Sequence, residues 1–370
     1  MTIRRFLVAP DSFKGSLSAA DTAAAIADGI RSVRPDAEIL CFPIADGGEG
    51  SVDALGAQRM PVNAAGPDGY AIPSFWGKLD ETTAVIEMAA AAGLPQSRLK
   101  DPERTTTFGV GELILAALKA GCRNFVLGLG GSATNDAGCG MAAALGAVFT
   151  DRDGKSFLPV GGTLGEIAHI SLDKMDPRLK ESAFTVMCDV TNPLYGGNGA
   201  AFVFAPQKGA DAEAVLRLDA GLRNFAAVVK ADLGRDLSQL AGGGAAGGMG
   251  AGAALFLGAE LKSGIRTVLD LRGFDDHLTE GTVVFTGEGK FDASSLDGKA
   301  VSGVAARAAQ KGVPVVVLAG SAEAVPGAYE RGVTAVFSVQ SAPRTLEEAM
   351  RRCADDLREA AANLTRLICL

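Results

Sequence analysis

Phe6-Leu7-Val8-Ala9-Pro10-Asp11-Ser12-Phe13-Lys14-Gly15-Ser16-Leu17-Ser18 passes from a strand to a helix within one short loop. Four apolar residues in succession read as a buried strand, and Pro10 ends it. Ser18, with Asp21 three residues on, caps a helix predicted over 18–33. Ala19, Ala23, Ile26, Ile30 and Val33 share its apolar face. A buried strand feeding a helix in this way predicts an α/β fold built on parallel sheet.

The same grammar recurs along the chain. Ile39–Phe42 leads to Asp46-Gly47-Gly48-Glu49-Gly50, and Phe125–Leu127 leads to Gly128-Leu129-Gly130-Gly131-Ser132-Ala133-Thr134-Asn135-Asp136. Phe184–Met187 leads to Cys188-Asp189-Val190-Thr191-Asn192-Pro193. Val283–Phe285 leads to Thr286-Gly287-Glu288-Gly289-Lys290-Phe291-Asp292, read as a glycine turn, and a further glycine run spans Gly242–Gly248. In open α/β sheets, ligands collect at the carboxyl ends of the strands. Loops of Gly, Asp and Lys placed there suit phosphate and a hard cation. Glycine admits an anion to backbone N–H groups, carboxylates hold Mg²⁺, and lysine neutralises charge.

Further strands are expected at Val85–Met88, Ala147–Thr150, Val313–Leu318 and Ala335–Val339. Helices are expected at 108–120, 137–146, 211–231, 300–311 and 345–366. The turn-rich segment Pro61–Tyr70 and the stretch Asp270–Thr282 read as crossings between domains. The first two strands are expected to pair with the last three, the middle of the chain forming an insertion.

Several classes are disfavoured. A net charge of −8, with no dense Lys/Arg run, argues against a nucleic-acid partner. Six scattered cysteines without a C-x-x-C pair suggest reduced thiols in the cytoplasm. Two histidines, His169 and His277, are too few for a histidine metal site, and surface or capping roles are expected of them. The uncharged stretch Ala241–Ala259 is dominated by Gly and Ala, so it reads as a loop feeding a helix rather than a membrane span.

Two readings of the 128–136 loop compete. Gly128-x-Gly130-x-x-Ala133, with Asp151 and Asp153 about 20 residues on, fits the dinucleotide fingerprint of an NAD(P)-dependent oxidoreductase acting on a small hydroxy acid. Asp136 at the loop's exit would repel a pyrophosphate, which favours a phosphate cradle without a dinucleotide. A non-catalytic sugar-acid-binding protein is a third possibility. Asp189 could be a Mg²⁺ ligand, a general base or an Asx-turn residue before Pro193. Neither the Walker signature nor the protein-kinase set is present.

Asp11–Ser18, Ala45–Gly50, Gly130–Gly138, Cys188–Val190, Pro206-Gln207-Lys208-Gly209-Ala210, Ala241–Met249 and Thr286–Gly289, in this order, resemble the signatures of bacterial glycerate kinases of sugar-acid and glyoxylate pathways. The segments span nearly the whole chain. The resemblance implies ATP-dependent, Mg²⁺-assisted phosphorylation of D-glycerate, with the 2-hydroxyl the favoured acceptor. It also implies a Rossmann-like parallel-sheet domain (1–65 and 275–370) and a second, inserted α/β domain (66–274), with the active site in the cleft between them.

Within these loops, Lys14 is expected to meet the glycerate carboxylate or the transferring phosphoryl group. Asp189 is expected to orient the attacking hydroxyl, with Asp11 beside them in the catalytic set. Ser12, Asp46 and Asn192 are expected to bind substrate. Gly130, Gly131, Ser132, Ala133, Gly243, Gly244, Gly247 and Lys299 are expected to bind nucleotide phosphates, and Glu288 and Asp292 the metal.

Overall fold

The structure is a computed structural model that describes residues 3–44, 47–296 and 300–370. Its strands are Arg5–Val8 (β1), Glu38–Cys41 (β2), Gln58–Ala65 (β3), Ala71–Lys78 (β4), Thr83–Glu87 (β5), Asn124–Gly128 (β6), Val148–Thr150 (β7), Ser156–Phe157 (β8), His169–Ser171 (β9), Ala183–Met187 (β10), Glu260–Lys262 (β11), Thr282–Phe291 (β12), Val315–Ala322 (β13) and Ala335–Ser338 (β14). The chain divides into two compact units. The first comprises Met1–Asp46, Asp53–Leu55 and Ile265–Leu370; the second comprises Gly47–Val52 and Gly56–Gly264.

The first unit is built on a five-stranded, wholly parallel sheet in the order β14-β13-β12-β1-β2. The first two strands share one sheet with the last three, joined where β1 pairs with β12. Counted within the unit, the order is 2-1-3-4-5, the doubly wound arrangement whose direction reverses between its first and third strands. Phe6, Val8, Val283, Phe285, Val316 and Leu318 form one core with Ile26 and Ile30 of the helix Ala19–Val33 and Leu357 and Ala361 of the helix Leu346–Ile368. The alternate strand residues Leu7, Val284, Val315 and Val317 are fully buried as well. Both faces are therefore covered, and the strands read as continuous apolar runs. Ser18 caps its helix through Asp21 N, as its spacing predicts.

The second unit carries a six-stranded sheet in the order β11-β10-β6-β5-β4-β3. Strands β5, β6, β10 and β11 run parallel, and β3, β4 and β5 pair antiparallel. A small antiparallel sheet, β8-β7-β9, belongs to the same unit. Phe125 of β6 stacks on Phe184 of β10 with ring centroids 4.6 Å apart.

Two segments depart from expectation. Pro61–Tyr70 is not a structureless crossing: Pro61 lies within β3 opposite Phe75, and the turn at Gly66–Tyr70 joins β3 to β4. β3 is the sheet's edge strand, where a residue without an N–H breaks no essential ladder. Gly287–Phe291 is not a turn either. β12 continues through it because β13 pairs with it as far as Phe291↔Ala322. As expected for 241–259, a turn at 241–244 feeds a helix, Ala245–Phe256, whose start carries left-handed Ala246, Gly247 and Gly248. Among the described residues, no helix is long and apolar enough to cross a membrane.

Candidate active site

In the first unit, the strand order reverses between β1 and β12, and the loop after β1 lies along β12 there. Asp11 N donates to Gly287 O at 2.8 Å, Ala9 N to Phe285 O at 2.7 Å, and Thr286 Oγ1 to Ala9 O at 2.7 Å. A Cβ on Gly289 would stand 3.7 Å from Lys14 N. The structure thus brings Asp11, Ser12 and Lys14 beside Glu288, at the crevice where doubly wound sheets bind ligands. Lys14 is exposed, whereas Asp11, Ser12 and Glu288 are half-buried. The Asp11 carboxylate accepts Ser12 N at 2.6 Å.

Asp292, just past β12, lies 3.1 Å from Lys290 Nζ, and Lys290 also pairs with Glu323 at 2.9 Å. Asp292 Oδ1 accepts from Ser294 N and Oγ. The Ser294 hydroxyl and then Lys290 hold its carboxyl below the usual range. Among the described residues, no group of three or more His, Cys, Asp or Glu is placed to hold a metal ion. Asp46 and Lys299 lie outside the described residues.

In the second unit, the predicted loops are laced together backbone to backbone. Gly130 N donates to Gly47 O at 3.0 Å. A Cβ on Gly128 would fall 2.5 Å from Gly47 O, and one on Gly130 would fall 2.5 Å from Gly48 Cα. These two glycines therefore make room for the neighbouring loop. Ala133 N donates to Ala92 O, and Leu94 N to Gly131 O, which fixes the far side of the same segment. Gly131, left-handed at φ +76°, is its exposed point.

Asp189 is exposed beyond β10, and its Oδ1 accepts from Gly264 N at 3.1 Å, at the start of the helix Gly264–Leu271. Asn192 Nδ2 donates to Asn198 O, and Asn192 O accepts from Gly244 N at 2.9 Å. Gly243, Gly244 and Gly247 are buried, and a Cβ on Gly247 would strike Thr134 O at 2.0 Å.

The glycerate kinase family model matches residues 6–369. The chain belongs to the glycerate kinase family. It is 44% identical to the glycerate 2-kinase of Escherichia coli K12, covering 99% of this chain and 98% of that one. It is 43% identical to a glycerate kinase of Bacillus cereus, with 97% of each covered. The crystal structure of a candidate glycerate kinase 2 from Salmonella typhimurium LT2 superposes with a TM-score of 0.89 at 43% identity, covering 99% of this chain and 98% of that one.

Membership of this family displaces the dinucleotide-oxidoreductase and sugar-acid-sensor readings, and the geometry explains why the fingerprint misleads. Asp151 sits at the turn joining β7 and β8, which belong to the small antiparallel sheet rather than to a parallel β-α-β unit. Asp136 points into the protein rather than out of the loop. It is fully buried and accepts from Thr107 N and Oγ1, Gly138 N and Gly140 N.

Glu87 and Lys208, both buried, received no role from the sequence. Glu87, 2% exposed at the end of β5, accepts Val52 N at 2.6 Å and Gly50 N at 3.2 Å, so it holds the glycine loop 47–50 from below. Its signal was a single acid in the apolar run 84–92. Lys208, 1% exposed, donates to Ser132 Oγ at 2.9 Å and Thr134 O at 2.7 Å. Burial pushes its ammonium down to about 7, against the opposing pull of Asp136. Burial likewise raises the Asp136 carboxyl above its usual value. His169 is exposed, with Nδ1 3.6 Å from Asp232 Oδ2, and His277 packs beside Phe42.

Proposed function

We propose that this chain is a glycerate kinase that transfers the γ-phosphoryl group of ATP to the 2-hydroxyl of D-glycerate, releasing 2-phospho-D-glycerate and ADP. The observation that carries the reading is the near-complete, 44% identity with the E. coli glycerate 2-kinase. The strand-end loops supply its chemistry. The glycerate oxygen attacks phosphorus as the bond to the ADP oxygen breaks, and the hydroxyl proton passes to the Asp189 carboxylate, which the Gly264 N–H orients. Lys14, with Asp11 and Ser12, lies at the first unit's crevice and neutralises the substrate carboxylate or the migrating phosphoryl group. Asp46 and Asn192 complete substrate recognition.

Gly131 and Ser132 offer backbone donors to the ATP phosphates, the N–H groups of Gly130 and Ala133 being engaged by Gly47 O and Ala92 O. Gly243, Gly244 and Gly247 set the path of the adjoining loop, and Lys299 adds charge. Glu288 and Asp292 are each hard oxygen donors that suit Mg²⁺. β12 runs extended from one to the other, roughly 13 Å over four residues, so a single ion would be held by one of them together with phosphate oxygens. The ion would supply charge neutralisation between phosphates. A cytoplasmic location suits six free thiols.

The protein incubated with ATP, Mg²⁺ and D-glycerate should yield a 2-phosphate resonance by phosphorus NMR. EDTA should abolish turnover, and Mg²⁺ or Mn²⁺ should restore it. A 3-phosphate product would overturn the regiochemistry, and full turnover after exhaustive chelation would overturn the metal assignment.

A further inference from the structure

We propose that Lys208 is a positioning residue for the segment Gly130–Ala133, gripping Ser132 and Thr134 from beneath so that the exposed turn at Gly131 is set for the phosphates of ATP. The inference rests on the glycerate kinase reading. Lys208 follows Pro206 in a single 3₁₀ turn, and Gly209 beyond it adopts φ +106°, with its Cα side against Lys100 O. The side chain is therefore delivered inward from a rigid turn. Its Nζ spans the loop, with one bond to a side-chain hydroxyl and one to a main-chain carbonyl two residues on.

A core filler would not be built this way. Taking an ammonium out of water costs several kcal/mol, whereas Met or Leu would fill the volume without that penalty. A buried charge is kept where its hydrogen bonds or its field are needed.

The loop itself needs such a tie. Thr134 Oγ1 and both polar atoms of the Asn135 carboxamide are buried without a hydrogen-bond partner among the described residues. The side chains of Thr134 and Asn135 therefore do not hold this part of the loop, since unmade buried hydrogen bonds favour rearrangement. Ser132 and Gly131 are linked outward to Gly93 and Leu94. Lys208 supplies the grip from the inner side. These Nζ contacts lie against the segment proposed to receive a polyanion. The lowered proton affinity of Lys208 accords with this burial.

The test uses the full chain with Lys208→Met and with Lys208→Gln, which retains one donor, each alone and combined with Ser132→Ala. Wild-type turnover is measured first; if it is absent, the kinase reading fails rather than this inference. Given turnover, Lys208→Met should raise KM for ATP roughly tenfold or more while KM for D-glycerate changes less than about twofold. Lys208→Gln should recover part of the loss. Adding Ser132→Ala to Lys208→Met should cost little more, because both remove the same contact. The inference is overturned by an unchanged KM for ATP in folded Lys208→Gln, by equal rises in both KM values, or by fully additive effects. Failure of both single variants to fold would also overturn it, by assigning Lys208 to the core.

Discussion

At the residue scale, Lys14 and Asp189 separate function from scaffolding. Lys14 is exposed and holds no core together. Lys14→Met should lower kcat/KM by roughly 10²-fold, about 2.7 kcal/mol of transition-state stabilisation, with the melting temperature nearly unchanged. Steady-state kinetics and calorimetry on one preparation check this, and wild-type kinetics would remove Lys14 from the site. Asp189 has a structural duty in accepting the Gly264 N–H. Asn keeps an acceptor there, so Asp189→Asn should leave stability within about 1 kcal/mol while kcat falls roughly 10²–10⁴-fold for want of a base. Small, parallel losses in both would mark Asp189 as a cap alone. The strand-end positions of Lys14 and Asp189 were legible because Asp and Lys there stand out against apolar runs. Lys208 and Glu87 were not, because their roles depend on burial beneath loops far away in sequence, which no local pattern encodes.

At the element scale, strand β12 tests how closely its glycines are tied to pairing. A Cβ on Gly287 would fall 1.9 Å from Leu318 O of β13, whereas one on Gly289 would meet nothing nearer than 3.7 Å. Gly287→Ala should therefore destabilise by about 1–3 kcal/mol or more and disturb the neighbouring Glu288, while Gly289→Ala should remain within about 1 kcal/mol of wild type. Thermal midpoints of the two variants decide the matter; equal shifts would refute the contrast. The pair also shows why the strand was misjudged. Gly-x-Gly punctuates a sequence like a turn, yet here the small residue lets neighbouring strands approach. Pro61 misled in the same way, because an edge strand tolerates a proline that an interior strand would not. Ordinary alternations of apolar run and capped helix, such as β1 followed by Ala19–Val33, were legible because local propensity and tertiary burial agree there.

At the scale of the whole molecule, the buried Lys208 gives stability a pH signature. The Lys208 ammonium titrates near 10.5 when unfolded and at about 7 when folded. The folded protein thus binds fewer protons between these values, and stability rises with pH across that window. The contribution is lost as pH falls through 7. The thermal midpoint of the wild type relative to Lys208→Met should therefore climb from pH 7 to pH 10, by an amount on the order of a few kcal/mol in stability. A flat difference across that range would mean that the lysine is solvated.

The sheet order of the first unit also has a consequence for how the protein is made. Arg5 of β1 pairs with Thr282 of β12, and the helix after β1 packs on the last helix of the chain. On the ribosome, the first strand and helix emerge with their partners still unsynthesised. At about 5–20 residues per second, they wait for tens of seconds while the second unit is translated in full. The amino-terminal segment, with Lys14 at its loop, is therefore a natural client for a nascent-chain chaperone, and a stop codon before Leu346 should leave its apolar helix face uncovered.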